Sequence, residues 1–342
     1  MRPIRVLVVE DSLVFRELLT QALVADPAIT VVATARDAYE ARDAIIKYRP
    51  DVMTLDIELP KMNGIEFLQK LMPQYPLPVV VISSLSDKVF DALNAGAVDF
   101  VAKPSNATRE QLENFARKEL PVKIKIASVA KVNSRRNLQP FAATKHLTKD
   151  VAGQIIAIGA STGGTEAIAT VLQEFDTDIP GVVIVQHMPA GFTAMYANRL
   201  NNNCRVQVKE AKNGDQVLPG QVLIAPGGDA HMQVIRTNGG YQVVIRTGEK
   251  VSGHSPSVDV LFQSVAKAAG ENAIGILLTG MGADGAKGLL AMRQSGAKTI
   301  GQEESTCVVY GMPKVAYELG AVEYQEKLQD IAKKTYAVLD SK

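Results

Sequence analysis

Gln154-Ile-Ile-Ala-Ile-Gly-Ala-Ser-Thr-Gly-Gly164 is an apolar run that ends in a group of small residues. The run predicts a buried strand, and Thr165-Glu-Ala167 after it predicts the start of a helix. Gly159-Ala-Ser-Thr-Gly163 fits the G-x-S-x-G spacing, in which small residues let a serine sit on a tight strand-to-helix turn. Such a turn exposes the hydroxyl of Ser161 and leaves N–H groups of the new helix available to hold an oxyanion. By itself, the pattern is more typical of an ordinary glycine-rich turn with a helix-capping serine.

The rest of the second half continues this alternation of strand and helix patterns, which predicts a mostly parallel sheet. The further predicted strands are Gly181–Gln186, Arg205–Glu210, Val222–Ala225, Met232–Arg236, Tyr241–Arg246, Ala273–Thr279 and Lys298–Gly301. The pair Gly239-Gly240 stands between two of these runs and predicts a β-hairpin there.

Three strands in this half end in side chains with complementary chemistry. Ser161 follows the first strand, His187 follows the second, and Asp284 comes after the run at Ala273–Thr279. If the strands are parallel, their carboxyl ends meet at one edge of the sheet and these side chains converge. A serine nucleophile, a histidine base and an aspartate that orients the imidazole are the groups that acyl transfer needs. The chain order Ser–His–Asp differs from that of the α/β-hydrolases and does not support that fold.

Other residues leave alternatives open. The remaining histidines lie in predicted loops or the linker, where a lone histidine is more often structural or exposed: His146, His231 and His254. Asp229 or Asp259 could replace Asp284, although neither follows a buried-looking strand.

A dinucleotide site is a different interpretation of the same region. Gly280-Met-Gly-Ala-Asp-Gly285 fits G-x-G-x-x-G after a strand, and the acids Glu303 and Glu304 lie about 20 residues later. This motif stands near the end of the chain, however, and the interpretation gives Ser161 and His187 no role. We therefore favour the triad.

The first 120 residues show a separate alternation of strands and helices. The predicted strands are Ile4–Val9, Thr30–Ala35, Val52–Leu55, Val79–Ile82 and Asp99–Val101. Charged and hydroxyl side chains follow these strands: Glu10, Asp11, Asp56, Ser83 and Lys103. Carboxylates gathered at one sheet edge repel each other, so a hard cation such as Mg²⁺ is the expected neutraliser. A lysine and a hydroxyl facing them could hold a phosphoryl group on one carboxylate.

Composition and linker set further limits. The 342 residues allow two domains at ~150 residues each. A net charge of +1 gives no case for a nucleic-acid partner, and Cys204 and Cys307 lack the spacing of a zinc site or a disulfide framework. We expect a cytoplasmic protein without membrane insertion, because no signal peptide or long apolar run is present. Residues 121–150 carry seven Lys or Arg against one acid, which predicts a basic linker between domains 1–120 and 151–342.

The first domain resembles the receiver domain of two-component response regulators, through Glu10-Asp11, Asp56 followed by Leu59-Pro-Lys-Met-Asn-Gly64, Ser83 and Lys103-Pro104. The resemblance implies a flavodoxin-like doubly wound parallel sheet with Asp56 as the phosphoacceptor. It also implies Mg²⁺ on Glu10, Asp11 and Asp56, phosphoryl contacts from Ser83 and Lys103, and a cis peptide at Lys103-Pro104. The resemblance also implies that the sensor histidine kinase of the same two-component system is the phosphoryl donor.

The second domain resembles the catalytic domain of the chemotaxis protein-glutamate methylesterases. The matching stretches are Ile158–Gly164, Gln186–Pro189, Ala225–Gly228, Ser257–Asp259, Leu278–Ala286 and Gly311–Pro313. The resemblance implies a Rossmann-like, doubly wound α/β domain with a β-hairpin.

That family hydrolyses glutamate methyl esters, and deamidates certain glutamines, on methyl-accepting chemoreceptors during chemotaxis adaptation. The resemblance implies a phosphorylation-activated enzyme with Ser161 as nucleophile, His187 as base and Asp284 as its orienting acid. The backbone N–H groups of Thr162 and Met281 would hold the oxyanion, and no cofactor is expected in the esterase site. A non-enzymatic alternative is a response regulator whose second domain only binds a partner.

Overall fold

The computed structural model describes residues 2–84, 87–103, 112, 115–132, 147, 151 and 153–341. The chain divides into two compact units, residues 1–137 and 138–342. Among the described residues, no helix has both the length and the apolar character that a membrane span requires.

The first unit is a five-stranded parallel sheet with strand order β2-β1-β3-β4-β5. Its strands are β1 Ile4–Val9, β2 Ile29–Ala35, β3 Val52–Asp56, β4 Val79–Ser83 and β5 Asp99–Ala102. Strands β3 and β4 are buried along their whole length, as expected for a parallel sheet that is covered on both faces. The predicted flavodoxin-like, doubly wound sheet is confirmed.

Each described α-helix of this unit is preceded by a polar residue. These helices are α1 Leu13–Val24, α2 Ala38–Tyr48, α3 Gly64–Leu71, α4 Lys88–Asn94 and, after a π-helical turn at Phe115–Glu119, α5 Leu120–Ser128. The side chains of Ser12, Asp37 and Asn63 accept backbone N–H bonds from the first turns of α1, α2 and α3. Each cap satisfies a donor that has no partner within the helix.

Helix α5 occupies the start of the predicted linker, 121–150. Pro121 lies in its first turn, where a missing N–H costs nothing, and Lys123 Nζ lies 2.8 Å from Asp99 Oδ2 at the start of β5. The linker's first residues are therefore helical and joined to the first unit. Of residues 129–150, only 129–132 and 147 are among the described ones.

The second unit has a seven-stranded parallel sheet of order β15-β14-β13-β6-β7-β10-β8 and a small antiparallel sheet of order β11-β12-β9. The strands are β6 Ile155–Ala160, β7 Gly181–Gln186, β8 Gln207–Glu210, β9 Gln216–Val217, β10 Gln221–Ile224, β11 Ala230–Thr237, β12 Gly240–Thr247, β13 Ala273–Leu277, β14 Lys298–Gln302 and β15 Tyr324–Glu326. This confirms the predicted α/β domain with its hairpin, β11–β12.

The helices of the second unit cover the parallel sheet. They are α6 Gly164–Gln173, α7 Phe192–Asn203, α8 Val258–Ala269, α9 Ala286–Gln294, α10 Met312–Glu318 and α11 Leu328–Ser341. Ile155 and Ala157 of β6 join the core that contains α8, α9 and the hairpin. Because successive residues of a strand face opposite sides, Ile156 and Ile158 point to the other face, and both are fully buried. Burial on both faces explains why this strand has no polar residue.

Most strand ends differ from the sequence prediction by one or two residues, and two strands were not predicted. β8 begins at Gln207 rather than Arg205, and β9 and β15 are too short and polar to give a strand pattern. β13 ends at Leu277 rather than Thr279. Thr279 leaves the strand ladder because its N–H donates to Gln302 Oε1 at 2.8 Å and its hydroxyl donates to the carbonyl of Thr162 at 3.1 Å.

Helices α8 and α9 approach each other at Gly288. A Cβ added there would lie 2.6 Å from Phe262 Cβ and 3.0 Å from the carbonyl oxygen of Asp259. Both distances are shorter than a normal carbon contact, so only glycine allows this approach of α9 to α8.

We predict that Gly288→Ala destabilises the protein by about 1–3 kcal/mol, because overpacking outweighs the better helix propensity of alanine. The matched control is Gly239→Ala, since a Cβ at Gly239 meets nothing within 4 Å. Thermal unfolding of both variants tests this. A Gly288→Ala midpoint equal to or above that of the wild type would contradict the predicted close packing.

Candidate active site

Ser161 and His187 occupy equivalent places on neighbouring strands. β6 and β7 pair in parallel, and their last residues, Ala160 and Gln186, lie opposite each other. Ser161 is therefore the first residue after β6, and His187 is the first residue after β7. The N–H of His187 donates to the carbonyl of Ala160 at 3.2 Å, which continues the ladder by one bond. Strands in a sheet are ~4.8 Å apart, so this register alone brings the serine and the histidine together.

The turn after β6 is made by glycines. The N–H of Gly164 donates to the carbonyl of Ser161 at 2.7 Å, and Gly163 has a φ of +76°, a conformation that favours glycine. A Cβ at Gly163 would lie 2.6 Å from Val308, and a Cβ at Gly164 would collide with the side chain of Gln186. The G-x-S-x-G pattern is therefore used here as a tight strand-to-helix turn.

Gln186 connects the two strand ends through its side chain. Its amide Nε2 donates to the carbonyl of Ser161 at 3.0 Å and to the carbonyl of His187 at 3.2 Å. No role for Gln186 was predicted from the sequence. Its one signal in the sequence was a polar residue at the end of an otherwise apolar strand.

His187 is bonded to Asp284. Nε2 of the imidazole lies 2.8 Å from Asp284 Oδ2, and the side chains are 9% and 1% exposed. Because Nε2 is engaged, Nδ1 is the ring nitrogen left to exchange a proton with a nucleophile. Nδ1 is buried and has no hydrogen-bond partner among the described residues. Of the two alternatives to Asp284, Asp229 is exposed and Asp259 bonds elsewhere.

Asp284 receives three further hydrogen bonds from the start of α8. Ser257 Oγ donates to Oδ1 at 2.7 Å, the N–H of Asp259 donates to Oδ1 at 3.0 Å, and the N–H of Val258 donates to Oδ2 at 2.7 Å. Burial raises the pKa of Asp284, but the hydrogen bond and charge of His187 and these donors outweigh it, so the pKa lies below its ordinary value. The carboxylate is therefore ionised when it orients the imidazole.

Asp259 makes the reverse connection, from α8 to α9. Its Oδ1 accepts the N–H of Gly288 at 2.7 Å, and its Oδ2 accepts the hydroxyl of Ser252 at 3.3 Å. Burial raises the pKa of Asp259. Asp284, in the loop before α9, thus accepts donors at the start of α8, and Asp259, in the first turn of α8, accepts a donor in the first turn of α9.

His231 has a structural environment. Its Nε2 donates to the carbonyl of Glu249 at 2.9 Å, and its Nδ1 accepts the N–H of Ser257 at 3.2 Å. Both ring nitrogens are engaged with backbone, so His231 does not compete with His187. His146, the histidine of the linker, lies outside the described residues.

The residues predicted to supply the oxyanion site, Thr162 and Met281, each neighbour a residue that contacts or precedes the turn at Ser161. Thr162 follows the serine and is buried. The N–H of Ser161 donates to the carbonyl of Thr279 at 3.0 Å, and a Cβ at Gly280 would lie 2.7 Å from Ser161 Cβ. Met281 comes next after Gly280, so the loop from β13 reaches the serine at this point. The same loop carries the G-x-G-x-x-G pattern, and its Asp284 is already committed to His187 and α8.

A second cluster lies at the carboxyl ends of β1, β3, β4 and β5. Lys103 Nζ donates to Glu10 at 3.0 and 3.1 Å and to Asp56 Oδ2 at 3.0 Å. Glu10 and Asp56 are buried, and Asp11 is exposed. Ser83 is also buried, and its carbonyl accepts the N–H of Lys103 at 2.6 Å. The predicted peptide Lys103-Pro104 is not described, because Pro104 lies outside the described residues.

The acids of this cluster fit a magnesium ion. One carboxylate oxygen from each of Glu10, Asp11 and Asp56 lies within 4.8 Å of the others. Burial, followed by the charge of Asp56, raises the pKa of Glu10 to about 7, against the opposing effect of Lys103. Three gathered carboxylates are hard oxygen ligands for Mg²⁺, whose charge would offset their repulsion.

Two family models match the chain: the response regulator receiver domain over residues 6–116 and CheB methylesterase over residues 156–335. Protein-glutamate methylesterase/protein-glutamine glutaminase 2 of Syntrophomonas wolfei is 61% identical over 340 residues, which cover 99% of each chain. The relative of that name (without the number) from Syntrophotalea carbinolica is 51% identical over 352 residues, 100% of this chain and 99% of the relative. The CheB methylesterase catalytic domain of Thermotoga maritima aligns with a TM-score of 0.53 and 36% identity, covering 55% of this chain and 99% of that one. The resemblance stated from the motifs is confirmed.

We predict that Mg²⁺ binds the full chain roughly tenfold more weakly at pH 6 than at pH 8. The pKa of Glu10 is about 7, so its carboxyl group is mostly protonated at pH 6 and mostly ionised at pH 8, and a carboxyl group must be deprotonated to bind a metal ion. Isothermal titration calorimetry measures both affinities. In Glu10→Gln the difference between the two pH values should disappear. Equal wild-type affinities at pH 6 and pH 8 would count against the raised pKa.

Proposed function

The chain belongs to the protein-glutamate methylesterase/protein-glutamine glutaminase family, and we propose that Ser161, His187 and Asp284 carry out its hydrolytic reaction. The protein is a carboxylic ester hydrolase with a receiver domain. The observation that supports this triad most directly is the 2.8 Å bond between His187 Nε2 and Asp284 Oδ2, on a histidine that follows the strand beside that of Ser161.

The reaction starts with attack of Ser161 Oγ on the γ-carbonyl carbon of a methylated glutamate. His187 accepts the hydroxyl proton at Nδ1, because Asp284 holds Nε2 as the N–H donor. The resulting imidazolium is stabilised by the ionised carboxylate of Asp284. The backbone N–H groups of Thr162 and Met281 hold the oxyanion, and one such donor typically lowers the barrier by about 3 kcal/mol.

Collapse of the tetrahedral intermediate breaks the C–O bond to the methoxy group. His187 returns its proton to that oxygen, and methanol leaves an acyl-enzyme on Ser161. Water, deprotonated by His187, then attacks the acyl carbon and releases glutamate and the free serine. With a glutamine substrate the same steps expel ammonia, which accounts for the glutaminase activity.

The receiver domain supplies the control. We assign Asp56 as the phosphoacceptor, with Ser83 and Lys103 as contacts of the phosphoryl group. Lys103 already spans Asp56 and Glu10, which supports this assignment. Glu10, Asp11 and Asp56 would hold Mg²⁺, and a bound Mg²⁺ would neutralise charge during phosphoryl transfer.

The biological setting follows from the family. The substrates are methyl-accepting chemoreceptors, the phosphoryl donor is the sensor histidine kinase of the chemotaxis system, and the protein works in the cytoplasm. No role for nucleic acid or membrane insertion is part of this proposal.

We predict that Ser161→Ala lowers methanol release from methylated receptor membranes by at least about 10⁴-fold, because no other group forms the acyl-enzyme. The matched control is Ser295→Ala, which removes a serine hydroxyl at the exposed end of α9 and should leave the rate unchanged. Substantial release by Ser161→Ala would overturn the nucleophile assignment. A properly folded wild type that releases none would favour the binding-module alternative.

We predict that a small acyl phosphate with Mg²⁺ raises the wild-type rate of methanol release and leaves Asp56→Asn unaffected, because an amide cannot form the acyl phosphate. Asp43→Asn is the control, since it neutralises an exposed carboxylate in the same domain. Activation of Asp56→Asn to the wild-type level would contradict the phosphoacceptor assignment.

A further inference from the structure

The imidazole of His187 is covered by a second imidazole. The ring of His254 lies parallel to it, with ring centroids 3.8 Å apart and an angle of 10° between the planes. His254 was a lone loop histidine in the sequence, and the reaction described above gives it no task.

The loop that carries His254 is a tight two-residue turn. Val251 and His254 exchange two backbone hydrogen bonds, of 3.0 and 2.9 Å, and the intervening Ser252 and Gly253 have φ values of 53° and 83°. Two central residues with positive φ define a type I′ turn, which favours asparagine or glycine. Serine in this conformation is strained and persists only where the surroundings hold it in place.

Hydrogen bonds from three serine side chains of the same loop keep the turn in this conformation. Ser252 Oγ donates to Asp259 Oδ2 at 3.3 Å, Ser255 Oγ donates to the carbonyl of Ala230 at 3.2 Å, and Ser257 Oγ donates to Asp284 Oδ1 at 2.7 Å. The loop is therefore attached to α8, to the hairpin and to the acid that bonds His187. The ring of His254 is held against His187 from a fixed support.

The position of Nδ1 depends on this support. Asp284 fixes the imidazole of His187 at one atom, Nε2, and the side-chain torsion that turns the ring is intrinsically broad. Tilting the ring toward His254 would drive it into the parallel ring at 3.8 Å. The stack thus limits the remaining freedom of the base, and with it the direction in which Nδ1 faces the serine.

We infer that His254 is a positioning residue that holds the ring plane of the base His187 during acyl transfer. This inference rests on the proposed function of His187. It assigns the effect to the flat ring of His254 rather than to its nitrogens, so a phenylalanine at the same position should replace it.

Steady-state kinetics of the full-length chain on methylated receptor membranes test the inference, with and without phosphoryl donor. We expect His254→Ala to lower kcat by about 10- to 100-fold with KM changed less than twofold, because misplacement of a catalytic group by ~1 Å costs rate by such factors. His254→Phe should retain kcat within about threefold of the wild type. Val251→Ala, which trims an exposed side chain of the same loop, is the control with an unchanged rate.

Wild-type kcat in His254→Ala overturns the inference, and so does a folded His254→Phe that is as slow as His254→Ala. If His254→Ala fails to fold, His254→Gln replaces it. Glutamine keeps bulk but offers no rigid plane, so a slow Gln variant beside a fast Phe variant supports the inference, and equal rates contradict it.

A second readout separates this inference from the proposed function. The rate at which an aryl sulfonyl fluoride modifies Ser161 depends on the base but not on the natural substrate. If the wild type is modified without releasing methanol, the proposed substrate is wrong. In that case, a modification rate in His254→Phe close to that of the wild type, with a lower rate in His254→Ala, still supports the role of His254. Absence of modification in the wild type contradicts both.

Discussion

The buried carboxylate of Asp284 is the constraint around which the second domain is arranged. An ionised carboxylate loses its hydration on burial, and only several hydrogen bonds or charge partners make that tolerable. Here the N-terminus of α8 supplies two backbone N–H groups and the hydroxyl of Ser257, and His187 supplies the fourth donor. Asp259 returns the connection to the first turn of α9. The packing of two helices and the orientation of one imidazole are thus parts of the same network.

The residues at the strand ends could be predicted from the sequence, because each is a polar residue that directly follows an apolar run. An apolar run indicates burial, and parallel strands have their carboxyl ends at one edge, so the sequence alone places Ser161 and His187 at the same edge of the sheet. The strand pattern could not show that Asp284 is held by α8, since those donors come from a segment earlier in the chain. Gln186 and His254 were missed for the same reason: their contacts depend on register and loop conformation.

In the receiver domain, too, the strand pattern predicted which residues lie at the strand ends but not their ionisation or the end of the domain. Strand ends identified the acids and the lysine, and the structure brings Glu10, Asp56 and Lys103 into direct contact. The ionisation of Glu10 was beyond the sequence, because it depends on how far burial and a neighbouring carboxylate outweigh one ammonium group. The end of this domain was also set by packing, since α5 uses apolar residues and Lys123 to continue past the predicted boundary.

In the proposed triad, the imidazole of His187 has the orientation opposite to that in the serine proteases, in which the far nitrogen faces the serine and the near nitrogen faces the acid. Here the far nitrogen, Nε2, is tied to Asp284, and the nitrogen next to the Cβ attachment is left for the proton. The ring of His187 is thus held at two places, by the hydrogen bond at Nε2 and by the covalent bond from Cγ to Cβ. Because Nδ1 is bonded to Cγ, rotation about the Cα–Cβ bond of His187 displaces Nδ1 less than it would displace Nε2, and rotation about the Cβ–Cγ bond is the motion that the ring of His254 limits.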